Sequence, residues 1–253
     1  LGHLSTSRLL ATLRHTMLLD NVPPFTTAVT QAYDSEHCDT CDAFLQRRHH
    51  HAKIEHEDST LAQPVPAPGR ALKALYRIIL DVFGPVPYAS AQHGYTYGIG
   101  LWDEATGMRW VFGAKVHTTE YVQHVVQTWR ASIRLLRPDL DVDIIRTDGA
   151  GENRSASWRQ YLASEGILDE ASVPYSAWQM GGVERTWGYV PSAGAMLALG
   201  EMGKRHWFSA LRYAVILSNV VCSSPSRASA AAGEAMSSAF ERFARVKPRG
   251  DHL

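Results

Sequence analysis

The alternation of apolar and polar positions changes period several times along this chain, and each change marks an element. Residues 74–83 read as a buried strand, in which Asp81 interrupts the apolar stretch that begins at Ile78. Residues 95–102 and 108–114 are rich in aromatic and β-branched side chains, and Asp103-Glu104-Ala105-Thr106-Gly107 between them reads as a hairpin turn. The period then lengthens. Tyr121, Val122, Val125, Val126, Trp129 and Ile133 recur at helical spacing, with Thr118 placed to cap the start and Arg137-Pro138 to stop the end. Residues 141–147 predict a fourth strand, residues 157–164 a short helix closed by Gly166, and residues 168–173 a fifth strand. A further helix is predicted to begin at Val183, and a long apolar one covers residues 206–221. This order predicts an α/β fold: a mixed five-stranded sheet with flanking helices.

Composition divides the chain into four parts. Residues 1–60 are rich in histidine and charge, residues 61–70 form a Pro-rich linker, residues 71–224 carry the alternating elements, and residues 225–253 read as a loosely ordered tail. The first residue is Leu1, so the chain is expected to be a piece of a longer protein. Its 25 basic and 25 acidic residues cancel. That balance lacks the basic footprint of a self-sufficient nucleic-acid binder, but it permits a catalytic core that is held on its substrate by other segments. No apolar run approaches the ~18 residues of a membrane span, so no membrane partner is expected. Three cysteines are too few for a disulfide framework.

Three acids stand in flanks that chemistry would choose. Asp81 lies inside the first apolar run, where an unpartnered buried carboxylate is very costly. Asp148 opens a Gly-Ala-Gly turn directly after the fourth strand. Glu184 follows Asp148 with thirty-five residues between them, at a helix start and next to Arg185. Taken singly they read as a strand-edge ion pair, a turn residue and a favourable helix-dipole contact. Three carboxylates can also hold two divalent cations, an arrangement suited to phosphodiester chemistry.

Together the three flanks resemble the integrase core of copia-type retrotransposons, a branch of the retroviral integrase and transposase superfamily. Asp81-Val82-Phe83-Gly84-Pro85 matches that family's first motif, an Asp in an apolar strand followed by Gly-Pro. Arg146-Thr147-Asp148-Gly149-Ala150-Gly151-Glu152 approaches the second, with Gly-Ala-Gly in place of Asn-Gly-Gly. Pro174-Tyr175-Ser176, Gln179, Gly181, Glu184 and Arg185 fall in register with the third, in which Met180 replaces an Asn. The segment from His206 to Asn219 is similar to the helix that closes such cores. The resemblance covers most of the chain up to about Ser224.

The resemblance implies an RNase H-like fold and metal-dependent DNA integration, by 3′-end processing and strand transfer. Asp81, Asp148 and Glu184 would hold two Mg²⁺ or Mn²⁺, and Arg185 would contact DNA. The implied partners are element and target DNA and further copies of the chain. The implied location is the nucleus, or otherwise a cytoplasmic particle. Gly188 and Pro191 interrupt the helix after Glu184, each unfavourable in a helix interior. A catalytically inactive or domesticated remnant of the same fold, serving as a nucleic-acid-binding or structural domain, is the alternative reading.

Cys38-Asp39-Thr40-Cys41 has the spacing of a zinc-ligand pair. Leu1-Gly2-His3 is similar to the end of the family's amino-terminal His motif. The resemblance therefore implies a small zinc-finger-like helical module before the core, in which His3, Cys38 and Cys41 supply three ligands for one Zn²⁺. Its fourth ligand is left open between water, His37 and His15. Cys222, at the end of a helix, reads as a buried thiol.

Overall fold

A computed structural model of the chain describes residues 73–147, 155–171, 203–223 and 237–248. The expected zinc module of residues 1–60, the 61–70 linker and the helix expected from Val183 lie outside the described residues.

The five predicted strands form one mixed sheet. The strands are β1 (Arg77–Phe83), β2 (Tyr97–Asp103), β3 (Arg109–Ala114), β4 (Ile144–Thr147) and β5 (Leu168–Ala171), in the order β3-β2-β1-β4-β5. β1 pairs antiparallel with β2, and β2 with β3. On the other side β1 pairs parallel with β4, and β4 with β5. β1 is therefore the strand where the sheet changes sense.

Helices lie on both faces. The core face carries Ile78, Leu80, Ile99, Leu101 and Ile145 beneath α1 (Thr119–Leu136) and α2 (Ala156–Ser164). The predicted stripe on α1 is the buried one: Val122, Val125, Val126, Trp129 and Ile133 all face the sheet. Thr118 caps the helix by accepting the Tyr121 N–H. Ser155 caps α2 in the same way from Trp158, and Gly166 leaves α2 with φ +69°. On the opposite face, Leu211 and Val215 of α3 (Trp207–Val220) pack on Val111 of β3.

β1 begins three residues later than its hydrophobicity predicts. Leu75 is fully buried with φ +63°, a left-handed conformation that breaks the strand. Asp103 holds it there, accepting the Leu75 N–H at 3.2 Å. Asp103 is not part of the turn, where the hairpin reading put it, but the last residue of β2. It ends β2 fully buried and also accepts from Ala105 N, Thr106 N and, at 2.5 Å, Thr106 Oγ1. Burial pushes its carboxyl above the usual range, and these four bonds work against that rise.

Part of the segment expected to be a loose tail belongs to the core. β7 (Ser237–Ser238) pairs with β6 (Cys222–Ser223), and α4 (Ala239–Ala244) follows. Phe243 enters the main core edge-on to Trp110, with centroids 5.4 Å apart. Arg242 donates to the Thr106 carbonyl and Arg137 to the Phe243 carbonyl. An apolar residue every third or fourth position is too weak a signal in six residues to stand out from an Ala-rich stretch.

Candidate active site

β1 delivers Asp81 to the middle of the sheet. Residues two apart along a strand share a face, so Asp81 stands with Ile79 and Phe83, opposite the Leu80 core face. Its neighbour on β2 is Gly100, and beyond Gly100 on β3 comes Val111. A glycine beside the acid places no side chain there, and Asp81 is only partly buried. Its Oδ1 accepts the N–H of Val82 at 2.9 Å.

The chain leaves this strand through a fixed turn. Gly84 has φ +131°, and a Cβ there would stand 2.8 Å from the Thr96 carbonyl oxygen. Glycine is therefore required directly after the Asp81-Val82-Phe83 run. Phe83 meets the Trp207 ring edge-on at 6.4 Å, which brings the start of α3 to the same end of the sheet.

On the parallel side, Leu80 is the neighbour of Thr147, the last residue of β4. The sequence continues from Thr147 into Asp148, which lies outside the described residues. Glu184, Arg185, His3, Cys38 and Cys41 also lie outside them. Of the proposed ligands, the described structure therefore places Asp81 alone. Among the described residues no group of three His, Cys, Asp or Glu side chains could hold a metal ion.

Sequence reasoning missed an ion-pair ladder behind Asp81. Arg77 donates to Glu104 and to Glu170, each at 2.7 Å, and Arg146 donates to Glu170 at 2.8 Å. Arg77 and Arg146 are nearly fully buried. Burial pushes the Glu170 carboxyl up, but the two guanidinium groups outweigh it and hold the carboxyl below its ordinary value. Register explains the placement: Arg146 stands between Ile79 on β1 and Glu170 on β5. Arginine inside an apolar strand was the available signal, since a buried guanidinium requires a partner.

A second missed residue is Arg130. It lies within the buried stripe of α1 and makes two bonds to Asp141, at 2.7 and 3.0 Å, and one to Glu165 at 2.7 Å. It thus ties α1 to the approach to β4 and to the end of α2. Despite partial burial, which pushes it up, Asp141 is held far below the usual carboxylate range by Arg130 and Arg134.

Three antiparallel strands followed by two parallel ones, with helices on both faces and an acid in the first strand, make an RNase H-like fold. The chain is similar to one chain in the structure of the simian T-cell lymphotropic virus intasome in complex with PP2A regulatory subunit B56 gamma. The TM-score is 0.52 at 16% identity, over 72% of this chain and 59% of that one. In sequence, 151 residues are 29% identical to the retrovirus-related Pol polyprotein from transposon TNT 1-94 of Nicotiana tabacum. A second match, 26% over 150 residues, is to the Pro-Pol polyprotein of simian foamy virus type 3 (strain LK3). Each match takes in 59% of this chain but spans only 11% and 12% of the respective polyprotein. No family model matches the chain. Among the described residues no helix is long and apolar enough to cross a membrane.

Proposed function

We propose that this chain is the catalytic core of a copia-type integrase that processes DNA 3′ ends and joins them to target DNA. The observation that carries the reading is the place of Asp81. It sits on the central strand, one position beyond the Leu80–Thr147 pair at which the sequence enters Asp148. The matches to transposon and foamy-virus Pol polyproteins support the same reading.

Asp81, Asp148 and Glu184 are the proposed cation ligands, and an all-carboxylate donor set suits Mg²⁺ or Mn²⁺. Such cations, when bound, supply charge neutralisation and an activated oxygen nucleophile. The Asp81 carboxylate, partly buried with only Gly100 beside it on β2, would be approached by the cation from that side. Behind it the Arg77–Glu170–Arg146 ladder holds β1, β4 and β5 in register, so the position of Asp81 is set before substrate arrives. Arg185 would meet a DNA phosphate. His3, Cys38 and Cys41 would ligate one Zn²⁺ in the amino-terminal module.

The test is cutting and joining of labelled DNA duplexes with Mn²⁺ or Mg²⁺. Wild type is expected to do both, and Asp81→Asn, Asp148→Asn and Glu184→Gln to fall to the metal-free background. Metal-dependent cutting that survives Asp81→Asn would overturn the assignment.

A further inference from the structure

Three exposed cations, Lys204, Arg205 and Arg212, lie at and near the start of α3. Arg77, Arg130, Arg134, Arg137 and Arg146 each pair with a carboxylate. Lys204, Arg205 and Arg212 are exposed, and among the described residues no carboxylate pairs with them. The segment that carries them, residues 203–223, contains no Asp or Glu, and neither does the loop packed on it, residues 84–96. Neither segment therefore carries a carboxylate of its own to neutralise the three cations.

The same surface is concave. A cavity of about 250 Å³ opens between the loop and α3, lined by Gln92, His93, Phe208, Ser209, Arg212 and Tyr213, with Ile216 at its edge. Tyr213 is 44% exposed there. The loop is pinned to α3 by backbone and ring contacts. The Ala91 N–H donates to the Arg205 carbonyl and Trp207 Nε1 to the Tyr88 carbonyl, and Lys204 lies 5.6 Å from the centre of the Tyr88 ring.

This surface also connects to the strand that bears Asp81. A row of rings runs His93, Tyr95, Phe208, Trp207, Phe83, with neighbouring centroids 5.1, 5.0, 5.5 and 6.4 Å apart. Phe83 is two residues beyond Asp81, on the same face of β1.

We infer that this cleft is a DNA-strand site: phosphates lie along Lys204, Arg205 and Arg212, and an unpaired base enters the cavity against Tyr213 and His93. Cations tracking a backbone and an exposed ring offering a stacking surface are the two components of single-strand recognition. The inference takes DNA as the ligand from the proposed function, but it concerns binding and does not depend on catalysis.

The experiment is fluorescence anisotropy with a labelled duplex bearing a short single-stranded overhang, in EDTA, using the full chain carrying Asp81→Asn. With catalysis removed, the outcome does not depend on whether the protein cuts DNA. Lys204→Ala/Arg205→Ala/Arg212→Ala is expected to weaken binding at least about tenfold and to flatten the dependence of log K on log salt by roughly 0.7 to 0.9 per lost contact. Tyr213→Ala is expected to lose at least about fivefold, and only with the overhang present. Arg159→Ala, on the helix covering the opposite face, is expected to change neither. Unchanged affinity in a triple variant of native circular dichroism would overturn the inference. So would a change of sedimentation coefficient with DNA binding intact, which would make the face a contact between copies of the chain. Patch-dependent binding by a wild-type protein that never cuts DNA would leave this site standing and remove the catalytic proposal alone.

Discussion

Leu80 of β1 stands beside Thr147 of β4 in parallel register, and each is followed in the sequence by an aspartate. Both residues are buried on the core face, and among the described residues the Thr147 hydroxyl has no hydrogen-bond partner. A buried hydroxyl left unpaired costs about 1–3 kcal/mol. Thr147→Val, which keeps the shape, is therefore expected to leave the fold unchanged and to raise stability by up to about 1 kcal/mol in denaturant unfolding. A loss of stability of similar size would show that the hydroxyl is used.

Arg130 is the buried centre of a cluster of three ion pairs on two carboxylates, Asp141 and Glu165, when the Arg134 pairing to Asp141 is included. Arg130→Ala is expected to destabilise by about 3 kcal/mol, since it empties a buried guanidinium site between α1 and α2. Asp141 is 42% exposed, so solvent screening reduces the effect of Asp141→Asn to about 1 kcal/mol. The pH signature is one-sided. The folded carboxyl titrates well below its ordinary 3.8, so its contribution is fully present above about pH 4 and is lost as pH falls through the depressed value. The deficit of Asp141→Asn is therefore expected at neutral pH and should close on acidification.

Asp103 predicts the opposite slope. Its folded pKa is raised above 3.8 by burial, so the native state binds protons more readily than the unfolded chain. Its net contribution declines as pH rises from about 4 through that raised value. Asp103→Asn loses acceptors for Thr106 and is expected to cost about 1–3 kcal/mol near pH 4. That deficit should shrink toward neutral pH. Unfolding midpoints for both aspartate variants across pH 3 to 8, on the scale of the ordinary carboxylate range, would separate the two.

Phe243 is 4% exposed and packs on Trp110. Phe243→Ala is expected to destabilise by about 3–5 kcal/mol, as for other large core truncations. A residue in a loose tail would cost almost nothing, so calorimetry of this one variant decides whether α4 belongs to the fold.

The strands and α1 were legible because their burial follows a regular period. Val122, Val125, Val126, Trp129 and Ile133 face the core as helical spacing requires. What the periodicity missed was held by single long-range contacts. Arg130 looks like an interruption of its stripe until Asp141 and Glu165 are seen beside it, eleven and thirty-five residues away. Asp103 looks like a turn residue until Leu75, twenty-eight residues earlier, is found bonded to it. α4 is too short to announce itself and takes its order from Trp110 and Thr106. Of the candidate site, the sequence identified Asp81 from its flanks, and the structure adds the glycine beside it and the arginine ladder behind it.

The docking of α4 has a consequence for how the protein is made. Arg242 reaches the Thr106 carbonyl across 136 residues, and Arg137 reaches Phe243 across 106. A nascent chain that has released all five strands of the sheet still lacks the side chain that fills the space beside Trp110. Completion of the interior waits for the ribosome to deliver residue 243, so a protease that trims this segment from a growing or processed precursor removes a piece of the core itself.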